Sequence, residues 1–231
     1  MAETYDLGHL YLLMREVAAA GLRYGKHGRV SLSLHCEQAE LIRVFIEEVK
    51  RSGPGGLEGY HRSRPPLTEQ LSIAEALVLT DATRCPVNLL HLSSAEAVAS
   101  GARGRRDNPH LDIRLETTVH HLALTHETAG GIMGKVNPPI RTEAHREALW
   151  RAVSDGWIDT VVSDHACCAE ADKQELWRAL PGFGGTALLY PYLFSEGHLR
   201  RGLALARIAE LGSANPARAF GLYPKKGTIA V

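Results

Sequence analysis

Three short apolar runs each read as a buried strand: Val30 to His35 (VSLSLH), Val87 to Leu92 (VNLLHL) and Thr160 to His165 (TVVSDH). Each delivers a residue type that binds zinc, namely His35, His91 and Asp164. Short apolar strands separated by helical periodicities imply crossover connections and a parallel sheet. In a barrel of such strands the carboxyl ends form one face, so polar residues far apart in sequence converge there. Zinc needs N or O donors at about 2.0 to 2.2 Å, with one position left open for water in a catalytic site. One histidine after a strand ordinarily just closes a loop. Three zinc-type residues at equivalent places point to a metal-centred hydrolase.

The intervening segments carry helical signals. Asp6 is a good N-cap for a first helix that places Leu10, Leu13, Met14, Val17 and Ala18 on one face before Gly21. A second helix is predicted from about Gln38 to Lys50, followed by a Gly53-Pro54-Gly55-Gly56 loop that runs into the polar stretch from Tyr60 to Pro66. Thr68 can cap the next helix, which reaches about Thr83, and Ser93 or Ser94 can cap a short one through Val98. Asp112 to Thr117 is a third candidate strand. Thr142 to Asp155 reads as a helix with Ala148, Leu149, Ala152 and Val153 inward and Gly156 as its stop. The count is roughly four β/α units. The tail from Leu203 to Pro224 is predicted helical with a break at Asn215-Pro216, and Gly227 to Val231 reads as the start of a strand. No repeat, low-complexity tract or second domain is visible, so residues 1–231 read as one unit.

Charge excludes some partners. With 26 basic and 26 acidic residues, nothing draws the chain electrostatically to nucleic acid or a membrane surface, and a small neutral or weakly charged substrate is expected. Cys36, Cys85, Cys167 and Cys168 lack the dense spacing of a secreted disulfide scaffold, and neither a signal peptide nor a long apolar span is seen. A reduced, soluble, cytoplasmic protein is expected. His120, His121 and His126 are expected as exposed loop histidines, with a second metal site as the alternative. A Cys-His nucleophile involving Cys167 or Cys168 is the runner-up chemistry. Gly182-Phe183-Gly184-Gly185 lacks the strand, helix and Lys of a phosphate-binding loop.

Seven ordered motifs carry a family resemblance. They are Leu34-His35-Cys36-Glu37; His91-Leu92-Ser93-Ser94-Ala95-Glu96-Ala97; Glu116-Thr117; Lys135-Val136-Asn137-Pro138-Pro139-Ile140-Arg141; Ser163-Asp164-His165-Ala166; Pro181-Gly182-Phe183-Gly184-Gly185; and Asn215-Pro216-Ala217 with Phe220 to Ile229. In this order the chain resembles the cyclic amidases of the amidohydrolase superfamily: the dihydroorotase, dihydropyrimidinase (hydantoinase) and allantoinase group. The resemblance implies an α/β fold of the (β/α)₈ TIM-barrel kind with one or two zinc ions, where a zinc-activated water attacks the carbonyl carbon of a ring amide. It further implies that His35 and His91 hold one metal, and that Asp164 ligates the other while acting as general base and then acid. Asn137 matches a position whose backbone contacts the cyclic amide, and Gly184 and Gly185 border the pocket.

The departures from the pattern are equally specific. The family opens its site with a His-x-His pair and often a bridging carboxylated Lys, and this sequence has no His-x-His. Lys26 lies in a Gly-rich turn, not in a strand. The chain is therefore expected to correspond to roughly the second half of the barrel, without the first strands or the small β-sandwich domain. A half-barrel exposes two strand edges and, by expectation, an apolar interior. The chain is then expected to be a fragment of a longer enzyme, or to have a second copy or a complementing chain cover them, or to be a catalytically silent fragment or assembly module. Cys168 stands where dihydroorotases carry a carboxylate-binding His, and Lys173 follows the allantoinase pattern, so the substrate is expected to be a hydantoin, dihydropyrimidine or allantoin-like ring.

Overall fold

A computed structural model describes residues 6–53 and 55–229. Its centre is a four-stranded parallel sheet: β1 (Leu32–Leu34), β2 (Val87–Leu89), β3 (Ile113–Thr118) and β4 (Thr160–Val162), in spatial order β1-β2-β3-β4. Leu32 pairs with Val87, Val87 with Ile113, and Glu116 with Thr160. Every connection contains helix, as parallel neighbours require. The four predicted β/α units are present, and among the described residues β1 and β4 are edges.

The helices follow local signals with instructive exceptions. Asp6 caps α1 (Leu7–Tyr24) by accepting the His9 N–H at 2.9 Å. The helix runs through Gly21, because one interior glycine costs only about 1 kcal/mol. Gln38 caps α2 (Ala39–Arg51). The polar stretch predicted as loop instead forms α3 (Gly56–Arg62), since Leu57 and Tyr60 bury one face of it. Helix α4 (Pro66–Thr83) starts at its proline, and Thr68 returns its hydroxyl to the Pro65 carbonyl rather than capping. Ser94 caps α5, which continues past Val98 to Asp107 (Ala95–Asp107). Its glycines are the reason: a Cβ on Gly101 would sit 2.9 Å from Leu115, and one on Gly104 would sit 2.4 Å from Leu77. The short α6 (Val119–Ala123) and α7 (Glu143–Ser154) follow, with Leu149, Trp150, Ala152 and Val153 buried on α7.

The tail begins with α8 (Leu189–Tyr192) and a π-helical stretch, Leu193–Arg200. Beyond it the predicted break at Asn215-Pro216 is absent. Helix α9 (Leu205–Ala209), a π segment (Glu210–Ala214) and α10 (Asn215–Ala219) run on without interruption. Proline lacks an N–H and its ring crowds the carbonyl four residues back, and the wider π turn just ahead accommodates both demands. Gly227 to Ile229 form no strand, while Ala230, Val231 and Pro54 lie outside the described residues. No described helix is long and apolar enough to cross a membrane.

Strand alternation divides the sheet into two faces. Leu32, Leu34, Val87, Leu89, Ile113, Leu115 and Val161 meet Met14, Ile73, Trp150 and Leu193 in the main core under the helices. The opposite face, expected to be apolar, is polar. Asn88 donates to Ser31 and Ser33 at 3.2 and 3.1 Å, Arg29 donates to Asn88 at 2.8 Å, and Thr160 donates to Glu116 at 3.3 Å. Helix α10 closes the lower end of this face: Arg29 reaches the Ala219 carbonyl at 2.8 Å, and Asn215 reaches that of Asp159 at 2.9 Å.

A buried ion pair ties the upper loops together. Arg141 and Glu69 are 2.8 Å apart with side chains 2% and 1% exposed. Ser93 gives Glu69 both its N–H and its hydroxyl, at 2.9 and 2.8 Å. Arg141 also donates to Ser93 Oγ, to the Arg64 carbonyl and to His61 Nδ1. Removing one member strands a buried charge, so Arg141→Ala should lower unfolding free energy by about 3–5 kcal/mol in urea denaturation. Arg178→Ala, at an exposed pair with Glu175, should change it by less than about 0.5 kcal/mol.

Candidate active site

His35 follows β1 directly, while His91 and Asp164 stand two residues beyond β2 and β4, so all three lie at the carboxyl face of the sheet. The fold brings His35 and His91 together: His35 Nδ1 lies 3.0 Å from His91 Nε2, with the rings edge-on. His35 Nε2 lies 3.1 Å from Glu37 Oε2. A carboxylate only accepts, so this contact puts the ring proton on Nε2 and leaves the Nδ1 lone pair facing His91. Glu37 is in turn held by Arg64 at 2.6 Å. Burial alone would raise the Glu37 pKa, but the His35 hydrogen bond and the Arg64 charge hold it below the usual carboxylate range.

Backbone geometry marks two of the three residues. His91 has φ 37° and Asp164 φ 45°, in the left-handed region that favours glycine. Such residues cost about 1–3 kcal/mol each and persist where the surroundings over-determine them. Around His91 the restraint is plain. Leu92 N–H bonds the Glu116 carbonyl at 2.8 Å, Thr117 Oγ1 bonds the Leu92 carbonyl at 2.8 Å, and Ser93 is fixed by Glu69.

The electrostatics suit proton chemistry. Burial raises the Asp164 pKa, and the nearby His35 opposes the rise. Glu116, known from sequence only as part of a motif, is pushed up to about 7, chiefly by burial with Asp164 adding to it. Burial and the neighbouring His35 push the His91 imidazole down to about 4, which leaves it neutral and able to coordinate at neutral pH. Its Nδ1 is buried without a hydrogen-bond partner.

These donors fit a two-histidine half of a metal site. The His35 and His91 nitrogens converge, one tautomer is fixed by Glu37, and both are of the type zinc takes. Among the described residues no group of three His, Cys, Asp or Glu side chains is gathered closely enough to hold an ion. The fold therefore unites His35 with His91 and leaves Asp164 on the same face without completing a three-donor cluster.

The remaining predicted residues divide. Gly184 and Gly185 lie against the Asp164 strand end: a Cβ on Gly185 would stand 3.3 Å from the Ser163 carbonyl, and one on Gly184 3.2 Å from the His165 ring. Asn137 is held from another side, its Oδ1 accepting the Tyr60 hydroxyl, and the Arg64 guanidinium that grips Glu37 lies 5.5 Å from the Tyr60 ring centre. Cys167 Sγ is 2.8 Å from His165 Nε2. The Gly185 N–H donates to His165 Nδ1 at 3.1 Å, so the proton sits on Nε2 and His165 donates to the sulfur. That is opposite to what a general base would do, and it disfavours the Cys-His nucleophile.

The expectation of exposed loop histidines fails for all three: the His126 side chain is 12% exposed and stacks on His61. His120 and His121 are 4% and 2% exposed, because α6 turns back over the sheet. His121 is fully bonded, its Nδ1 to Thr118 Oγ1 at 2.8 Å and its Nε2 to the Pro138 carbonyl at 3.1 Å. Sequence offered no signal for Arg64 or Glu69 as supports, since their partners lie in other segments, and Glu37 stood only as part of the motif that carries His35.

A parallel β/α sheet with zinc-type residues at its carboxyl face defines half of a TIM-barrel-like hydrolase fold. Residues 33–231 match the Amidohydrolase family, and the chain belongs to it. It is 34% identical to the allantoinase of Deinococcus radiodurans over 91% of this chain and 47% of that protein. Identity to the L-hydantoinase of Paenarthrobacter aurescens is 29%, over 100% of this chain and 50% of the relative. Among solved structures, the L-hydantoinase of Arthrobacter aurescens superimposes with a TM-score of 0.89 at 28% identity, over 100% of this chain and 51% of that one. The D-hydantoinase from Thermus sp. gives 0.86 at 26%, over 98% and 49%. The chain spans about half the length of the relatives it matches.

If the Asp164 backbone is strained, glycine should relieve it. Asp164→Gly should exceed Asp164→Ala in stability by about 1 kcal/mol in thermal or urea unfolding, the reverse of the order expected in a helix.

Proposed function

We propose that this chain carries part of the active site of a zinc-dependent cyclic amidase that opens a hydantoin, dihydropyrimidine or allantoin-like ring. The observation that carries the reading is the convergence of His35 Nδ1 and His91 Nε2 at 3.0 Å, with the His35 proton drawn to Glu37. His35 and His91 would hold one zinc ion, with Asp164 serving the site's second metal. Zinc, when bound, polarises the amide carbonyl and lowers the pKa of its water toward about 7. Asp164, its pKa raised by burial, takes the proton from the attacking water and returns it to the leaving ring nitrogen. Glu37 and Arg64 orient His35 by holding its tautomer. The Asn137 backbone and the Gly184-Gly185 segment border the bound ring.

Residues 1–231 form one partial barrel domain in this reading; a second copy or a complementing chain covers the β1 and β4 edges, and only a complementing chain can supply the His-x-His ligands that this sequence lacks. The exposed apolar residues of α1, Leu12, Leu13 and Leu22, at 56%, 50% and 93%, support such an assembly. The four thiols are free, which fits a reducing cytoplasm. A second reading, a catalytically silent assembly module, is favoured by the absence of a three-donor cluster among the described residues.

Purified in its native assembly, the protein should bind about one or two zinc equivalents per chain and open the hydantoin or dihydrouracil ring. Elemental analysis and loss of ring absorbance measure the two. His35→Ala should lose metal, and Asp164→Ala should lower kcat by at least about 100-fold. A zinc-free, inert protein that still assembles would establish the silent module instead. By light scattering behind size exclusion, it should elute as a dimer or larger, and a stable monomer would remove the assembly reading.

A further inference from the structure

Among the largest side chains that the fold buries completely is a lysine. Lys173, at the end of a 3₁₀ turn (Glu170–Lys173) between β4 and α8, is 1% exposed. Its ammonium donates to two main-chain carbonyls, Met133 at 2.8 Å and Lys135 at 3.0 Å, and lies 5.5 Å from the centre of the Phe183 ring. None of these partners is an anion. Taking an ammonium out of water without a counter-charge is expensive, and an apolar side chain of similar volume would fill the space at less cost. Such a side chain cannot hold two carbonyls. Their oxygens carry like partial charges and share one cation, and without it they repel and turn apart.

The place of this clamp connects it to the site. The Lys135 carbonyl accepts twice, from Lys173 and from the Gly182 N–H at 2.9 Å, so both of its lone pairs are used. Asn137 stands two residues after Lys135, and Gly184 and Gly185 follow Gly182 closely. The two segments that border the ring in the proposed function therefore meet at one oxygen. The Phe183 carbonyl in turn accepts the Ala166 N–H at 3.2 Å, which ties the glycine loop to the segment that carries Asp164. Beyond Asn137 the chain is held again, where His121 Nε2 donates to the Pro138 carbonyl at 3.1 Å.

We infer that Lys173 is a positioning residue for substrate binding: its buried ammonium fixes the Lys135 carbonyl, and through it sets the Asn137 main chain and the Gly184-Gly185 rim at one separation. The inference rests on the cyclic amidase reading and deepens it. Lys173 acts through other residues and touches neither the ring nor the metal. A ring held between two segments loses affinity when they shift, because hydrogen bonds weaken steeply with distance and angle. The His35–His91 convergence depends on Glu37 and Arg64 instead. Loss of Lys173 therefore acts on ring binding and spares zinc.

The test compares wild type, Lys173→Met and Lys173→Gln as the 231-residue chain in its native assembly, with hydantoin, dihydrouracil and allantoin as the rings. For the ring that the wild type opens, Lys173→Met should raise KM at least about tenfold, the size of one charge-assisted hydrogen bond, with kcat within about threefold and zinc content unchanged. Lys173→Gln keeps one donor and should raise KM about threefold; it stands in if the methionine variant does not fold. A merely structural lysine behaves otherwise: its loss lowers the folded fraction, and with it kcat, at unchanged KM. That result, or wild-type kinetics in both variants, would overturn the inference. Failure of the parent reading is separable, because calorimetry reads binding without turnover. A wild type that opens no ring but binds one, at least about tenfold more tightly than Lys173→Met does, keeps the positioning role and loses the catalysis. Turnover with a KM indifferent to Lys173 does the reverse, and a wild type that binds none of the three rings overturns the inference as well.

Discussion

The Arg141–Glu69 pair is the constraint on which the upper face depends. Two charges removed from water are tolerable only when every hydrogen-bonding position on both is used. Here Ser93, the Arg64 carbonyl and His61 use them. The groups so tied come from five separate segments: α3, the turn between α3 and α4, α4, the loop after β2, and the loop ahead of α7. Ser93 is two residues past His91, so the same pair that fixes the loops holds the strained backbone that presents the imidazole.

From that anchor the orientation of the site follows. Arg64, whose carbonyl accepts from Arg141, also grips Glu37, and Glu37 fixes the His35 tautomer. One connected network thus reaches from a buried charge to the lone pair of His35. A β/α sheet places polar residues at its carboxyl face, but placement within a few ångströms does not make ligands. The proton has to sit on the correct nitrogen, and a buried carboxylate decides that.

How much of this the sequence carried can be judged from particular residues. His35, His91 and Asp164 were visible because each ends an apolar run, and strand periodicity is local. The length of α5 was not visible, because Gly101 and Gly104 read as helix breakers until Leu115 and Leu77 are seen against them. The polar inner face was misjudged for a related reason. Ser31, Ser33, Asn88 and Glu116 alternate with apolar neighbours, and only the sheet shows which side meets the helices. His120 and His121 looked like loop residues because a histidine pair carries no periodicity, and their burial depends on how α6 folds over β3.

By itself the sequence determined the class of fold, the number of β/α units and the chemical types at the strand ends, since helix and strand periods and residue chemistry are properties of neighbouring positions. Tertiary structure alone decided which nitrogens face each other, which carboxylate sets a tautomer, and that the histidine pair after β3 is buried. Those outcomes are set by contacts between segments distant in sequence, where a few tenths of an ångström separate a hydrogen bond from an unmatched polar group.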